Sequence, residues 1–91
     1  MRARDVKTYK SNDDLFRSVN DLMGRLRGAG LDAAAVEIRD GFRCLNGMTD
    51  GWALFMESLE RTLGTHASTM SNDAANELRA ILHTVYELVY R

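Results

Sequence analysis

No proline interrupts this chain anywhere along its 91 residues. Proline is the residue that breaks a helix most strongly, because its ring removes an amide donor and clashes with the preceding turn. A chain of this length and of average composition would carry about four or five prolines. Long stretches are therefore free to form helices, and helix is the secondary structure that we predict for most of the chain.

Apolar residues recur at helical spacing in four segments, which we predict to be amphipathic helices. The four segments are residues 12–28, 32–46, 50–63 and 72–90. Ser11 and Ser71 are placed to cap the first and fourth helices, because a serine hydroxyl accepts a hydrogen bond from an amide of the first turn. By the same reasoning Asp32 caps the second helix, and Thr49 or Asp50 caps the third.

The apolar face of each predicted helix supplies the candidate core. The first two faces are Leu15, Phe16, Val19, Leu22, Met23 and Leu26, then Leu31, Ala35, Ile38, Phe42 and Leu45. The last two faces are Trp52, Phe55, Met56, Leu59 and Leu63, then Ala74, Leu78, Ile81, Leu82, Val85, Leu88 and Val89. Ala34 and Gly41 are small residues beside the second face, so we expect a neighbouring helix to approach closely there.

The spacing of these segments predicts an all-α fold, a small four-helix up-down bundle with short connections. Residues 11–91 form one helical domain in this prediction, preceded by a basic, poorly ordered segment over residues 1–10. A chain this short buries only about 60 to 65% of the surface of its unfolded form. Self-association would compensate for that small core.

Charge and residue usage exclude several classes of function. The net charge is −1 at pH 7, and the basic residues of the first ten positions leave the remainder acidic, which disfavours nucleic-acid binding by the folded domain. The longest apolar run, residues 52–56, is far shorter than a membrane span. Cys44 is the single cysteine, so no intramolecular disulfide can form and a cytoplasmic protein is expected. Ten arginines against two lysines suggest a G+C-rich bacterial genome.

Residues 28–33 match the pattern G-x-G-x-x-A, which resembles a dinucleotide-binding loop. That loop works between a strand and a helix, where its glycines let a pyrophosphate reach the start of the helix. Here the preceding segment has the pattern of an amphipathic helix, and Asp32 places a carboxylate where the phosphate would lie. We therefore predict a turn between two helices at Gly28 and Gly30.

Residues for catalysis or metal binding are sparse. His66 and His83 are the only histidines, and neither belongs to a metal-binding motif, although His83 and Glu87 stand one turn apart. Cys44 lies near the C-terminal end of the second helix, where the helix dipole disfavours a thiolate. We expect no enzyme activity, no metal and no cofactor.

Two surface features indicate contact with another molecule. Leu54 lies opposite the apolar face of its helix, and Tyr86 and Tyr90 lie one turn apart at the margin of the apolar face of the fourth helix, beside Arg79 and His83. One interpretation is that the tyrosines only flank the core and keep their hydroxyls in water, and the other is that they contact a partner. Tyrosine and arginine are enriched at protein interfaces, so these five residues are the interface candidates.

The aromatic residues of the third helix allow a second interpretation. Trp52, Phe55 and Met56 form part of the core in the first interpretation and line a small-molecule pocket in the second.

The sequence favours a small non-enzymatic protein–protein interaction module, which we expect to be a homodimer. The alternatives are a small-ligand-binding or regulatory bundle, and an immunity- or antitoxin-like protein that binds a different partner. Neither a nucleic acid nor a membrane is an expected partner.

Overall fold

A computed structural model of the chain describes Tyr9, residues 11–45 and residues 50–90. These residues form four α-helices: α1 (Asn12–Gly28), α2 (Asp32–Phe42), α3 (Gly51–His66) and α4 (Asn72–Tyr90). Short 3-10 turns, Arg43–Leu45 and Ala67–Thr69, follow α2 and α3. The all-α prediction is confirmed, and no strand occurs in the described ranges. Apart from Tyr9, the predicted N-terminal segment lies outside the described residues. Residue 46, the last one predicted for the second helix, also lies outside them.

The helices pack in a ring in which each one contacts its neighbours in sequence. α1 packs on α2, α2 on α3 and α3 on α4, and α4 returns to contact α1. This arrangement confirms the small four-helix bundle. Within the part of the chain that the structure describes, no helix is both long enough and apolar enough to cross a bilayer.

The ends of α1 follow the local sequence. The Ser11 hydroxyl accepts a hydrogen bond from the Asp14 amide at 3.2 Å, as predicted for a cap. At the other end Gly30 adopts a φ of 82°, its amide donates to the Arg27 carbonyl at 3.0 Å, and the Leu31 amide donates to the Leu26 carbonyl at 2.8 Å. These bonds form a Schellman motif, so the glycine-rich sequence is a helix-to-helix turn as predicted.

Four predicted helix boundaries were wrong or incomplete. α2 ends at Phe42 and passes into the 3-10 turn Arg43–Leu45, short of the predicted end at residue 46. Asp32 is the first residue of α2 and the capping position belongs to Leu31, because the Schellman turn leads directly into the next helix. Asp50 does precede α3, but its side chain makes no capping hydrogen bond, and Thr49, the alternative cap, lies outside the described residues. α3 continues past Gly64 to His66, since a helical glycine costs only about 1 kcal/mol and does not by itself end a helix.

One hydrophobic core runs between the four helices. Its fully buried large residues include Leu15, Leu22, Leu26, Ile38, Phe55, Leu59, Leu78 and Ile81. The buried face of α3 differs from the predicted face: it is rotated around the helix axis toward α2. Ser58 and Thr62 are fully buried, whereas Trp52 and Leu63 are only partly buried against the core.

Small residues explain that rotation, because α2 and α3 approach closely. A Cβ atom at Gly41 would overlap the side chain of Ser58, which confirms the predicted close approach. The Ser58 hydroxyl donates to the Glu37 carbonyl, and the Thr62 hydroxyl donates to the Ser58 carbonyl at 2.8 Å. Both buried hydroxyls therefore have partners, so their burial carries no penalty for an unmade hydrogen bond.

Candidate functional site

Two tyrosines form the largest exposed aromatic surface on α4. Tyr86 and Tyr90 are 49% and 64% exposed, and their ring centroids lie 4.7 Å apart. The rings stand one helical turn apart and pack against each other. Ile81 and Val85 on the opposite side of α4 are fully buried, which fixes the rotation of the helix and keeps the tyrosines directed outward.

Charged and polar side chains surround the tyrosines. Arg79 and His83 are exposed on the same side of α4, and the Arg79 guanidinium donates to the Asn76 side-chain oxygen at 3.2 Å. Glu87 is exposed one turn beyond His83. We call Arg79, His83, Tyr86 and Tyr90 the α4 strip. Its side chains offer a cation, hydrogen-bonding groups and two aromatic faces to a partner.

Leu54 lies apart from the α4 strip. It is 36% exposed, and on the surface of α3 it stands in line with Arg61, two turns further on. The Arg61 Nε bonds to the Glu37 carboxylate of α2 at 3.1 Å, so this side of α3 faces α2, and α4 packs on another side. The structure therefore does not join Leu54 to the other four interface candidates. Val36 on α2 is also exposed, at 39%, and the periodicity did not single it out.

Aromatic rings from three helices meet at one end of the bundle. Phe16 of α1 lies edge-on to Phe42 of α2, with centroids 5.4 Å apart, and stacks on Trp52 of α3 at 6.0 Å. Phe42 in turn contacts Phe55, 5.5 Å away. Of the three predicted pocket residues, Phe55 and Met56 are buried in the core, whereas Trp52 is partly exposed.

An open depression of about 540 Å³ lies beside this cluster. It is lined by Phe16, Phe42, Arg43 and Leu45. Trp52 is not among these lining residues, but its ring stacks on Phe16. The volume falls within the range of small-molecule sites, which also require a few converging polar groups. Arg43 is the single charged group among these lining residues. Periodicity assigned Phe16, Phe42 and Leu45 to the core, and only their positions at helix ends hinted at exposure.

Three titratable side chains of α2 and α3, Glu37, Arg61 and His66, form one small cluster. His66 lies beside Glu37, with Nε2 and Oε1 separated by 4.0 Å, and Arg61 bonds to the same carboxylate. Cys44 is a free, half-buried cysteine whose sulfur lies 3.5 Å from the Asp40 carbonyl. Among the described residues, no three histidine, cysteine or acidic side chains gather as a metal site would require.

Tyr9, the one described residue before Ser11, contacts α4. Its hydroxyl donates to the Glu77 carboxylate at 2.7 Å, and its ring packs against the core. Burial raises the pKa of Tyr9 far above that of a free phenol, and the hydrogen bond and negative charge of Glu77 raise it further. This contact links residues that lie far apart in the sequence, so periodicity could not foresee it.

No known family model matches this sequence, and no curated protein and no solved structure is significantly similar to it.

Proposed function

We propose that this protein is a small, non-enzymatic protein–protein interaction module that acts as a homodimer through the α4 strip. The observation that carries the proposal is the exposed pair Tyr86 and Tyr90, whose rings pack against each other on the outer face of a helix. Most of that face is polar. Two adjacent aromatic rings in such a setting provide the apolar anchor typical of an interface centre.

The energetics favour covering these rings. Burying apolar surface gains roughly 25 cal/mol for each Å² removed from water. A tyrosine loses few rotamers on binding and keeps a hydroxyl for hydrogen bonding, which makes it an efficient contact residue. Arg79 adds a planar cation that can stack on an aromatic ring. A second copy of the chain offers the same set of groups and also relieves the small size of the core.

A non-enzymatic role is consistent with the surroundings of the one cysteine. The Cys44 sulfur faces the main-chain carbonyl of Asp40, which cannot act as a base toward the thiol. His66 lies instead beside Glu37 and Arg61. We place the protein in the reducing cytoplasm, where a lone thiol persists. An immunity- or antitoxin-like role would present the same strip to a different protein.

The experiment is sedimentation equilibrium of the wild type and of two double variants. We expect the wild type to approach twice its mass of 10.2 kDa at tens of micromolar protein. Tyr86→Ala with Tyr90→Ala should raise the dimer dissociation constant about 30-fold or more, which corresponds to about 2 kcal/mol. Val36→Ala with Leu54→Ala removes two exposed apolar side chains elsewhere and serves as the matched control. A wild-type mass of 10.2 kDa at 200 micromolar, a concentration chosen for the test, would contradict the proposed homodimer.

A second candidate function, binding of a small apolar anion, is favoured by the depression beside Phe16. Its aromatic lining suits an apolar body, and Arg43 at its edge suits a carboxylate. Trp52 is the only tryptophan and stacks on Phe16, so its fluorescence reports on this region. If the site is used, dodecanoate should change that fluorescence with a saturable dependence that Arg43→Gln weakens. An unchanged titration in Arg43→Gln would contradict this candidate.

A further inference from the structure

The α4 strip has two edges, and its groups are distributed unevenly between them. Arg79 and Tyr86 are two turns apart, which places them only about 20° apart around the helix and on the same edge. Asn76 and Tyr90 are about 40° apart and lie toward the other edge, with Asn76 beyond the strip itself. Along the helix, His83 lies between the two members of each pair, and it is exposed. Along the helix axis the order is therefore Asn76, which borders the strip, and then Arg79, His83, Tyr86 and Tyr90.

A parallel pairing of two such helices would set like groups against each other. A two-fold axis along the helices brings every residue to the height of its own copy. Arg79 would lie at the height of Arg79 and Glu87 at the height of Glu87, so neither charge is brought level with an opposite one. The tyrosines would meet only each other. That arrangement leaves the guanidinium without an aromatic or acidic partner.

An antiparallel pairing joins unlike groups. A two-fold axis perpendicular to the helices keeps residues of one edge on the same side of the interface. With the axis beside His83, Arg79 comes to the height of Tyr86 in the second copy, and Asn76 comes to the height of Tyr90. A guanidinium over a tyrosine ring gains a cation–π attraction, and the symmetry forms this contact twice. Glu87 of the second copy also lies at the height of Arg79.

From this self-complementarity we infer that the partner of the α4 strip is a second copy of the chain, packed with its α4 antiparallel. Arg79 of each copy stacks on Tyr86 of the other about a two-fold axis beside His83. The Asn76 amide nitrogen donates to the Tyr90 hydroxyl across the interface. The inference rests on the proposed homodimer and specifies its orientation and register.

Disulfide mapping tests the orientation. Single cysteines are introduced as His83→Cys and Asn76→Cys, each in a Cys44→Ser background, and the proteins are oxidised at a concentration that favours the dimer. His83→Cys lies beside the axis and should cross-link with itself. Asn76→Cys should not, because in the antiparallel register its two copies are about 20 Å apart along the helices, beyond the reach of a disulfide.

The other results of this mapping are distinguishable. Self-linking of Asn76→Cys as well as His83→Cys would show a parallel pairing and overturn the inference. A dimer that cross-links at neither position would place the interface on a different face, which overturns the inference and leaves a homodimer intact. A wild type that remains monomeric in sedimentation overturns both the inference and the proposed homodimer.

A charge variant tests the register independently. Glu87→Arg places a second cation at the height of Arg79 in the antiparallel dimer, on the other edge of the interface, so the dissociation constant should rise by up to about fivefold. Asp40→Arg makes the same charge change on the exposed side of α2 and should leave the constant unchanged. In a parallel dimer, residue 87 lies at the height of its own copy. Glu87→Arg would then replace one pair of like charges with another and leave the dissociation constant nearly unchanged. An unchanged constant for Glu87→Arg would therefore overturn the register.

Discussion

Gly41 and Gly24 are both helical glycines, yet they have opposite surroundings. A Cβ atom at Gly41 would overlap Ser58 of α3, whereas a Cβ atom at Gly24 would meet nothing within 4 Å. We expect Gly41→Ala to lower the free energy of unfolding by about 1 to 3 kcal/mol, because two packed helices must separate. Gly24→Ala should raise it by up to about 1 kcal/mol through helix propensity. Urea denaturation measures both, and equal effects would contradict the close approach of α2 and α3.

Tyr9 provides a test at alkaline pH. Its pKa is raised by burial and by Glu77, so the folded state holds the phenolic proton more tightly than the unfolded state does. This contribution to stability is complete below the unfolded pKa of about 10 and is lost as pH rises through the higher folded value. The free energy of unfolding, measured between about pH 9 and 12, should therefore decline as the pH rises, and the decline should be shallower in Tyr9→Phe. The same slope in both proteins would contradict a partly buried, hydrogen-bonded phenol.

At the scale of one element, the end of α1 depends on a single backbone conformation. Gly30 has a φ of 82°, a region that other residues adopt only with strain, whereas Gly28 is an ordinary helical residue. Gly30→Ala should lower the free energy of unfolding by about 1 to 2 kcal/mol. Gly28→Ala, two positions away, is the control and should be neutral or slightly stabilising. Thermal unfolding followed by circular dichroism separates them, and a neutral Gly30→Ala would contradict the Schellman turn.

The rotation of α3 changes which aromatic residue supports the core. The sequence pattern placed Trp52 and Phe55 on the same buried face, but only Phe55 is fully buried. We expect Phe55→Ala to cost about 3 to 5 kcal/mol. Trp52→Ala should cost less, because Trp52 already contacts water and stacks on one side with Phe16. Denaturant midpoints that rank Trp52→Ala as the more damaging change would contradict this orientation of α3.

For the whole molecule, association and stability should be coupled. A dimer that forms only from folded chains stabilises them by mass action, so the thermal midpoint depends on protein concentration. We expect the midpoint of the wild type to rise when the protein is concentrated a hundredfold in calorimetry. The double variant Tyr86→Ala with Tyr90→Ala should show no such rise. A wild-type midpoint that is independent of concentration would contradict coupling between folding and self-association.

The sequence alone predicted the features that depend on neighbouring residues. Helical periodicity identified all four helices, and Ser11, Ser71 and Gly30 mark boundaries because caps and turns form within one or two turns of chain. Spacing placed Tyr86 and Tyr90 at the margin of the apolar face of α4, and the structure exposes both of them. Whether the α4 strip binds a partner stays a prediction.

Tertiary structure decided what depends on residues distant in the sequence. The close approach of α2 and α3 buries Ser58 and Thr62 and turns Trp52 toward the edge, a choice that the apolar pattern of α3 alone could not make. The Tyr9 contact with Glu77 and the depression beside Phe16 arise only where separate elements meet. The physical reason is that periodicity defines a face to within a residue or two, whereas the fit between neighbouring helices selects the final rotation.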